Sequence, residues 1–180
     1  MKNRLAEQIT DVKRDLLAML NSFSQENINQ KPFDGSWTAG QVAEHVLKSA
    51  SGVLGALTGL TKSPDRDPEQ FVKRISNAFM NFDVKMKSTD FILPSEETKD
   101  KNYLLKALET TFDGIEKVAD TDDLTQICTT FEMPAVGYLS RSEFLNFTIV
   151  HTRRHIYQLK NILSYFETSD HDNAKPIHQF

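Results

Sequence analysis

His151 and His155 stand four residues apart in HTRRHIYQLKNI. On a helix, residues i and i+4 lie one above the other on one face. The apolar stripe through this segment runs Phe144, Phe147 or Thr148, His151, His155, Gln158 or Leu159, and Ile162, so both imidazoles point where a core belongs. His45 holds an equivalent inward place in GQVAEHVLKSASGV. Neutral imidazole is the commonest metal ligand. Two from adjacent turns and a third from a facing helix form a triangular face, and three protein ligands leave positions open for water or substrate. Zinc, nickel, copper and iron all suit imidazole. The alternative is three hydrogen-bonded core histidines, each finding partners for both nitrogens. An unsatisfied one costs about 1–3 kcal/mol, whereas convergence on one ion accounts for all three together.

Other residues add little chemistry. HTRRH lacks the Glu that follows the first His of HExxH, so no zincin-type general base is encoded there. Glu44 sits about 100° around its helix from His45 and is expected to face solvent. Gln41, one turn before His45, and Gln158, about one turn after His155, can orient ligands or bound water, although caps and bundle ends explain them as well. Arg153 and Arg154 flank the pair and are expected at a solvated surface or against a carboxylate. Cys128 reads as a small buried hydrophobe. His171 and His178 fall in a polar tail and read as surface residues. No catalytic residue is singled out.

The elements that must position the histidines follow from periodicity. Leu5, Ile9, Val12, Leu16, Met19 and Phe23 predict a first helix over 3–24. Thr38-Ala39-Gly40-Gln41 forms a capping box that opens the helix bearing His45, with Trp37 just before it. The far half of that helix is crowded with small residues (Ala50, Ser51, Gly52, Gly55, Ala56, Gly59), which permit close approach by another helix or subunit. After a polar linker over 61–68, Pro68-Glu69 starts a short helix whose buried side is Phe71, Ile75, Ala78 and Phe79. Residues 81–99 show no period and form a long excursion, of the kind that is functional or packed across an opening. Leu104, Leu108, Thr111, Phe112, Ile115, Val118 and Ala119 mark a helix over 99–120. Residues 127–139 (ICTTFEMPAVGYL), broken by Pro134 and Gly137, read as a buried crossover. Ser140-Arg141-Ser142-Glu143 is a second capping box, opening the histidine-bearing helix, which is expected to end near Phe166. No segment shows sustained strand alternation. The expected fold is all-α: a four-helix bundle with a short extra helix and a long crossover, one domain over 1–168 and a polar tail over 169–180.

Composition narrows the partners. A chain of 180 residues can bury a real core. Its net charge of −4, with Lys and Arg scattered, offers no basic stripe for nucleic acid. No apolar run approaches a membrane span, and MKNRLAEQIT lacks the apolar region of a signal peptide. One cysteine permits no intrachain disulfide and fits a reducing cytoplasm.

Taken together, SWTAGQVAEHVLKSA, FEMPAVGYLSRSEFLNF and HTRRHIYQLKNI, in this order and spacing, resemble the DinB/YfiT-like superfamily over nearly the whole chain. The resemblance implies a bundle with up-down-down-up connectivity, usually a homodimer. It also implies a divalent metal at the bundle's open end, carried over to His45, His151 and His155. Members with known activity include thiol S-transferases using bacillithiol, and relatives using mycothiol or glutathione, one a maleylpyruvate isomerase. The family has also been named for hydrolases. The leading expectation is therefore a metal-dependent enzyme transferring a low-molecular-weight thiol to an electrophilic small molecule, with zinc or nickel foremost and iron, manganese or copper admissible. Metal-dependent hydrolysis is the second reading, and a non-catalytic metal- or ligand-binding stress protein the third.

Overall fold

The computed structural model describes residues 2–84 and 86–173. Five helices account for most of them: α1 (Lys2–Asn21), α2 (Ala39–Thr58), α3 (Val72–Phe79), α4 (Lys101–Thr121) and α5 (Arg141–Asn173). α1 packs against α4 and α5, and α2 packs against the same two, so the four long helices close a ring. Each buries the stripe its sequence carries. Ile9 and Leu16 of α1, Leu108, Phe112 and Ile115 of α4, and Phe144 and Leu159 of α5 are fully buried in one core. Polar side chains also join the helices. Lys13 pairs with Asp113 and Glu116 at 2.7 Å, Lys101 reaches the carbonyl of Asn21 at 3.1 Å and, just past α1, that of Phe23 at 2.6 Å, and Arg141 reaches that of Leu57 at 3.0 Å. Leu54 fills the space where Gly114 lacks a side chain; a Cβ there would meet it at 2.8 Å.

Local signals fix where the helices begin. The Thr38 hydroxyl accepts from the Gln41 N–H at 3.1 Å, and the Gln41 side chain accepts from the Thr38 N–H at 3.0 Å, so the expected capping box forms. Asp100 caps α4 through the Tyr103 N–H. At α5 the second box forms between Ser140 and Glu143. The Glu143 carboxylate, with no exposure, also takes Arg66 at 2.6 Å and the Phe71 N–H at 2.8 Å. It thereby ties the approach to α3 onto the start of α5.

The all-α expectation is corrected. Residues 127–139 are not a crossover but a hairpin, β2 (Ile127–Met133) and β3 (Gly137–Ser140), and β1 (Thr61–Lys62), inside the expected linker, adds a third strand. The order is β1-β2-β3, antiparallel throughout, with Thr61 opposite Cys128 and Glu132 opposite Tyr138. Pro134 does not break the element but turns it. The Val136 N–H donates to Met133 O at 3.1 Å, with Ala135 at φ 62° and Gly137 at φ 100° supplying the left-handed positions the turn needs. Gly59 lets the sheet approach α2, since a Cβ there would lie 2.6 Å from Thr130 Oγ1.

Smaller differences follow the same logic. α3 starts at Val72, after turns over residues 68–71, and Ala78 is exposed rather than buried. α1 stops at Asn21, and Leu20 rather than Met19 is buried. α5 continues to Asn173, seven residues past the expected end. The side chain of His171, and all of His178, lie outside the described residues.

Candidate metal centre

α2 and α5 bring the three histidines together. The Nε2 atoms of His45 and His155 each lie 3.2 Å from Nε2 of His151, and one ligand atom from each ring fits within 4.8 Å of the others. All three rings are buried, with 3, 6 and 8% exposure for His45, His151 and His155. The inward stripe read from the sequence is therefore correct, and the rings meet at one point.

The outer nitrogens fix the tautomers. His45 Nδ1 faces the Ile92 carbonyl at 2.9 Å, and His155 Nδ1 faces the Gln158 side-chain oxygen at 2.9 Å. An amide oxygen only accepts, so both Nδ1 atoms carry the proton and both Nε2 atoms present a lone pair inward. His151 Nε2 stands between those two lone pairs and can donate to only one of them. The other lone pair then faces a nitrogen with no further proton to offer, and a His151 protonated on Nδ1 instead leaves three lone pairs converging. A divalent cation at the point of convergence satisfies all of them, and the imidazole donors, oriented from behind by carbonyl oxygens, suit one. Among the described residues this is the one such cluster of His, Cys, Asp or Glu.

Burial holds the rings neutral, the form that binds metal. It lowers the His45 pKa, opposed by the Ile92 carbonyl and aided by Lys48. It lowers His151 well below the usual imidazole range, with His155, His45 and Arg154 adding to the effect. Burial, then His45 and Arg154, outweigh the Gln158 hydrogen bond and bring His155 to about 3.

The cluster lies in the wall of a cavity of about 1080 Å³, ample for a small-molecule ligand. Trp37, half-buried, packs its ring 5.1 Å from that of His45, and Phe147 stacks on His151 at 5.1 Å. Phe79, on α3, meets His151 edge-on at 5.7 Å. The hairpin contributes Phe131, and the 81–98 excursion contributes Phe91 from a 3-10 turn over Asp90–Ile92. The expectation that this excursion crosses an opening is met in detail, because it both lines the cavity and supplies the carbonyl behind His45.

Other residues singled out from sequence fall into place. Gln158 orients His155. Gln41 does not approach the histidines, since its side chain serves the cap and donates to Ser95 O. Glu44 is not solvent-facing: it pairs with Lys99 at 2.6 Å and Lys48 at 3.0 Å and accepts from the Ser95 N–H at 2.9 Å. Burial raises its carboxyl, but these partners prevail and bring it to about 2. Arg153 is exposed, while Arg154 turns to the carbonyls of Phe79, Asn81 and Val84. Cys128 is buried and free, its thiol pushed up by burial, against Arg141, to about 11.

No helix among the described residues is long and apolar enough to cross a membrane. No curated protein and no solved structure matches the chain. A family model for the DinB superfamily matches residues 8–159, a span that holds both capping boxes, the hairpin and all three histidines. The chain belongs to the DinB superfamily.

Proposed function

We propose that this protein is a metal-dependent enzyme that presents a low-molecular-weight thiol to an electrophilic small molecule, with His45, His151 and His155 holding one divalent ion, zinc or nickel foremost. The observation that carries the reading is the convergence of three buried Nε2 atoms at a cavity wall. An ion held there supplies Lewis acidity, which lowers the pKa of a thiol or water bound to it. The chain's own residues do the rest. Ile92 O and Gln158 hold the His45 and His155 rings with their lone pairs inward. Trp37, Phe79 and Phe147 surround the rings with apolar surface and exclude bulk water. Thiol transfer is favoured over hydrolysis because no Asp or Glu lines the cavity among the described residues, so no carboxylate general base stands ready for water, while a thiolate needs none.

The up-down-down-up order belongs to this proposal. Contacts near both ends of the helices support it. The end of α1 meets the start of α4 through Lys101, α2 and α4 meet near their starts at Gly40–Lys99 and toward their ends at Leu54–Gly114, and the start of α5 meets the end of α2 through Arg141.

The test is metal content by elemental analysis of protein purified without affinity tag or chelator, beside the His151→Ala/His155→Ala variant. Near-stoichiometric metal in the parent and none in the variant is the expected result, followed by thiol-transfer assays with that metal. A parent that takes up no divalent ion after reconstitution at about pH 7.5, where imidazole is free to bind, overturns the reading. Tight metal without turnover of thiol or ester substrates transfers the site to a binding role.

A further inference from the structure

We propose that the cavity over the histidines takes an amphipathic organic anion, its apolar body against the aromatic walls and its single oxyanion group at a cationic mouth. This deepens the enzyme reading by naming a ligand class for the same cavity, and it stands on the residues of the cavity walls.

The chain carries 25 acidic and 21 basic residues, so a lining drawn evenly from it would be mixed and slightly acidic. The cavity is lined by Lys48, Arg74, Lys87 and Arg154, and by no Asp or Glu among the described residues. These four cations come from four separate places: α2, α3, the 81–98 excursion and α5. Their charges are left largely uncancelled. Among the described residues Arg74 donates to Ala135 O at 3.2 Å and meets no carboxylate, and Arg154 donates to carbonyls, those of Phe79, Asn81 and Val84. Lys48 shares Glu44 with Lys99, so that trio keeps one positive charge. A guanidinium has five N–H donors, and Arg74 spends one of them.

The charged lining lies toward solvent. Val53, Ile75 and Phe147 are buried, as are the three histidines, whereas Arg74 and Lys87 are exposed and Lys48 and Arg154 half-buried, at an opening also bordered by the exposed Phe82, Met86 and Phe91. A ligand entering this space meets positive charge beside exposed apolar side chains, and an uncharged, apolar interior around the histidines. A cationic ligand is repelled at the mouth, and a neutral one leaves the charges unused. The four cations stand on four elements among a lining that is otherwise mostly apolar, which suits an oxyanion on an apolar body better than a polyphosphate, which needs several converging donors.

The test pairs two fluorescent probes with the same body, anilinonaphthalene sulfonate and its uncharged analogue phenylnaphthylamine. Trp37 is the only tryptophan and lines the cavity, so energy transfer from it locates the bound probe. The expected result is one anilinonaphthalene sulfonate per chain, quenching Trp37 and binding at least about tenfold more tightly than phenylnaphthylamine. The Arg74→Gln/Lys87→Gln variant, altered only at exposed positions, should bind the anion about five- to tenfold more weakly and the neutral probe unchanged, since exposed charge contacts are each worth up to about fivefold. Far-UV circular dichroism checks its fold. Equal affinity for the two probes, indifference of the anion to the double variant, or several probes bound with Trp37 unquenched would each overturn the proposal. Metal content is measured on the same samples. Anion selectivity without metal uptake defeats the enzyme reading alone, and metal uptake without anion selectivity defeats this inference alone.

Discussion

Three imidazoles, with the Nε2 atoms of His45 and His155 each 3.2 Å from that of His151, depend on what holds their far sides. Gln158 does this for His155 from one turn along the same helix, so it sets the tautomer that points a lone pair inward. Replacing it with Ala should weaken metal binding about tenfold or more, read by competition with a chromophoric chelator. Gln158→Glu, which keeps the acceptor, should retain affinity. Equal losses in the two variants would show that packing rather than the hydrogen bond matters. His45, His151, His155 and Gln158 were legible in the sequence because helical period places the first on the inward face of its helix and the other three along one side of theirs. The Ile92 carbonyl was not. A backbone oxygen carries no residue signature, and this one reaches His45 from 47 positions away through a segment without period. Glu44 misled for a similar reason. Its place on the helix is as the period dictates, but Lys99 and Ser95 arrive from elsewhere and turn a nominally outward carboxylate into a paired one.

Among the elements, the approach to α3 is tied to the start of α5 by one buried carboxylate. Glu143 takes Arg66, the Phe71 N–H and the Ser140 N–H together. Glu143→Ala leaves these donors stranded and should cost about 3–5 kcal/mol, measured by urea unfolding; a loss under about 1 kcal/mol would show that the network does not hold the element. Because α3 carries Phe79 against His151, the variant should also loosen the cavity wall. The helices themselves were legible, down to both capping boxes. The hairpin was missed because Pro134 and Gly137 were read as breaks, when the β-branched and aromatic run ICTTF ahead of a Pro-led turn is a strand signal. Its alternation is clear only from Thr129 to Met133, too short to stand out.

At the scale of the whole molecule, the neutral histidines set a pH limit. Unfolded, each titrates near 6.5; folded, each is depressed, His155 to about 3. Below about pH 6.5 the unfolded chain therefore binds more protons than the native one, and stability falls as pH falls. Glu44 has the same sign in a lower window, its stabilisation present above the usual 4.5 and lost toward about 2. The unfolding free energy of the metal-free protein, from urea titrations, should hold steady from about pH 7 to 8 and drop from about 6.5 to 5, by up to about 1.4 kcal/mol per pH unit for each histidine. A flat profile through that range would contradict the depressed imidazoles. The 81–98 excursion has a different bearing. Beside ring contacts of Phe82 with Tyr157 and of Phe91 with Phe131, its backbone is moored to the bundle: Arg154 takes the carbonyls of Asn81 and Val84, His45 takes that of Ile92, and Lys48 takes that of Leu93. None of these hydrogen bonds reads a side chain of the excursion. Phe82, Met86 and Phe91 can therefore be exchanged with these bonds in place, so what the cavity accepts can change while the backbone behind His45 stays where it is.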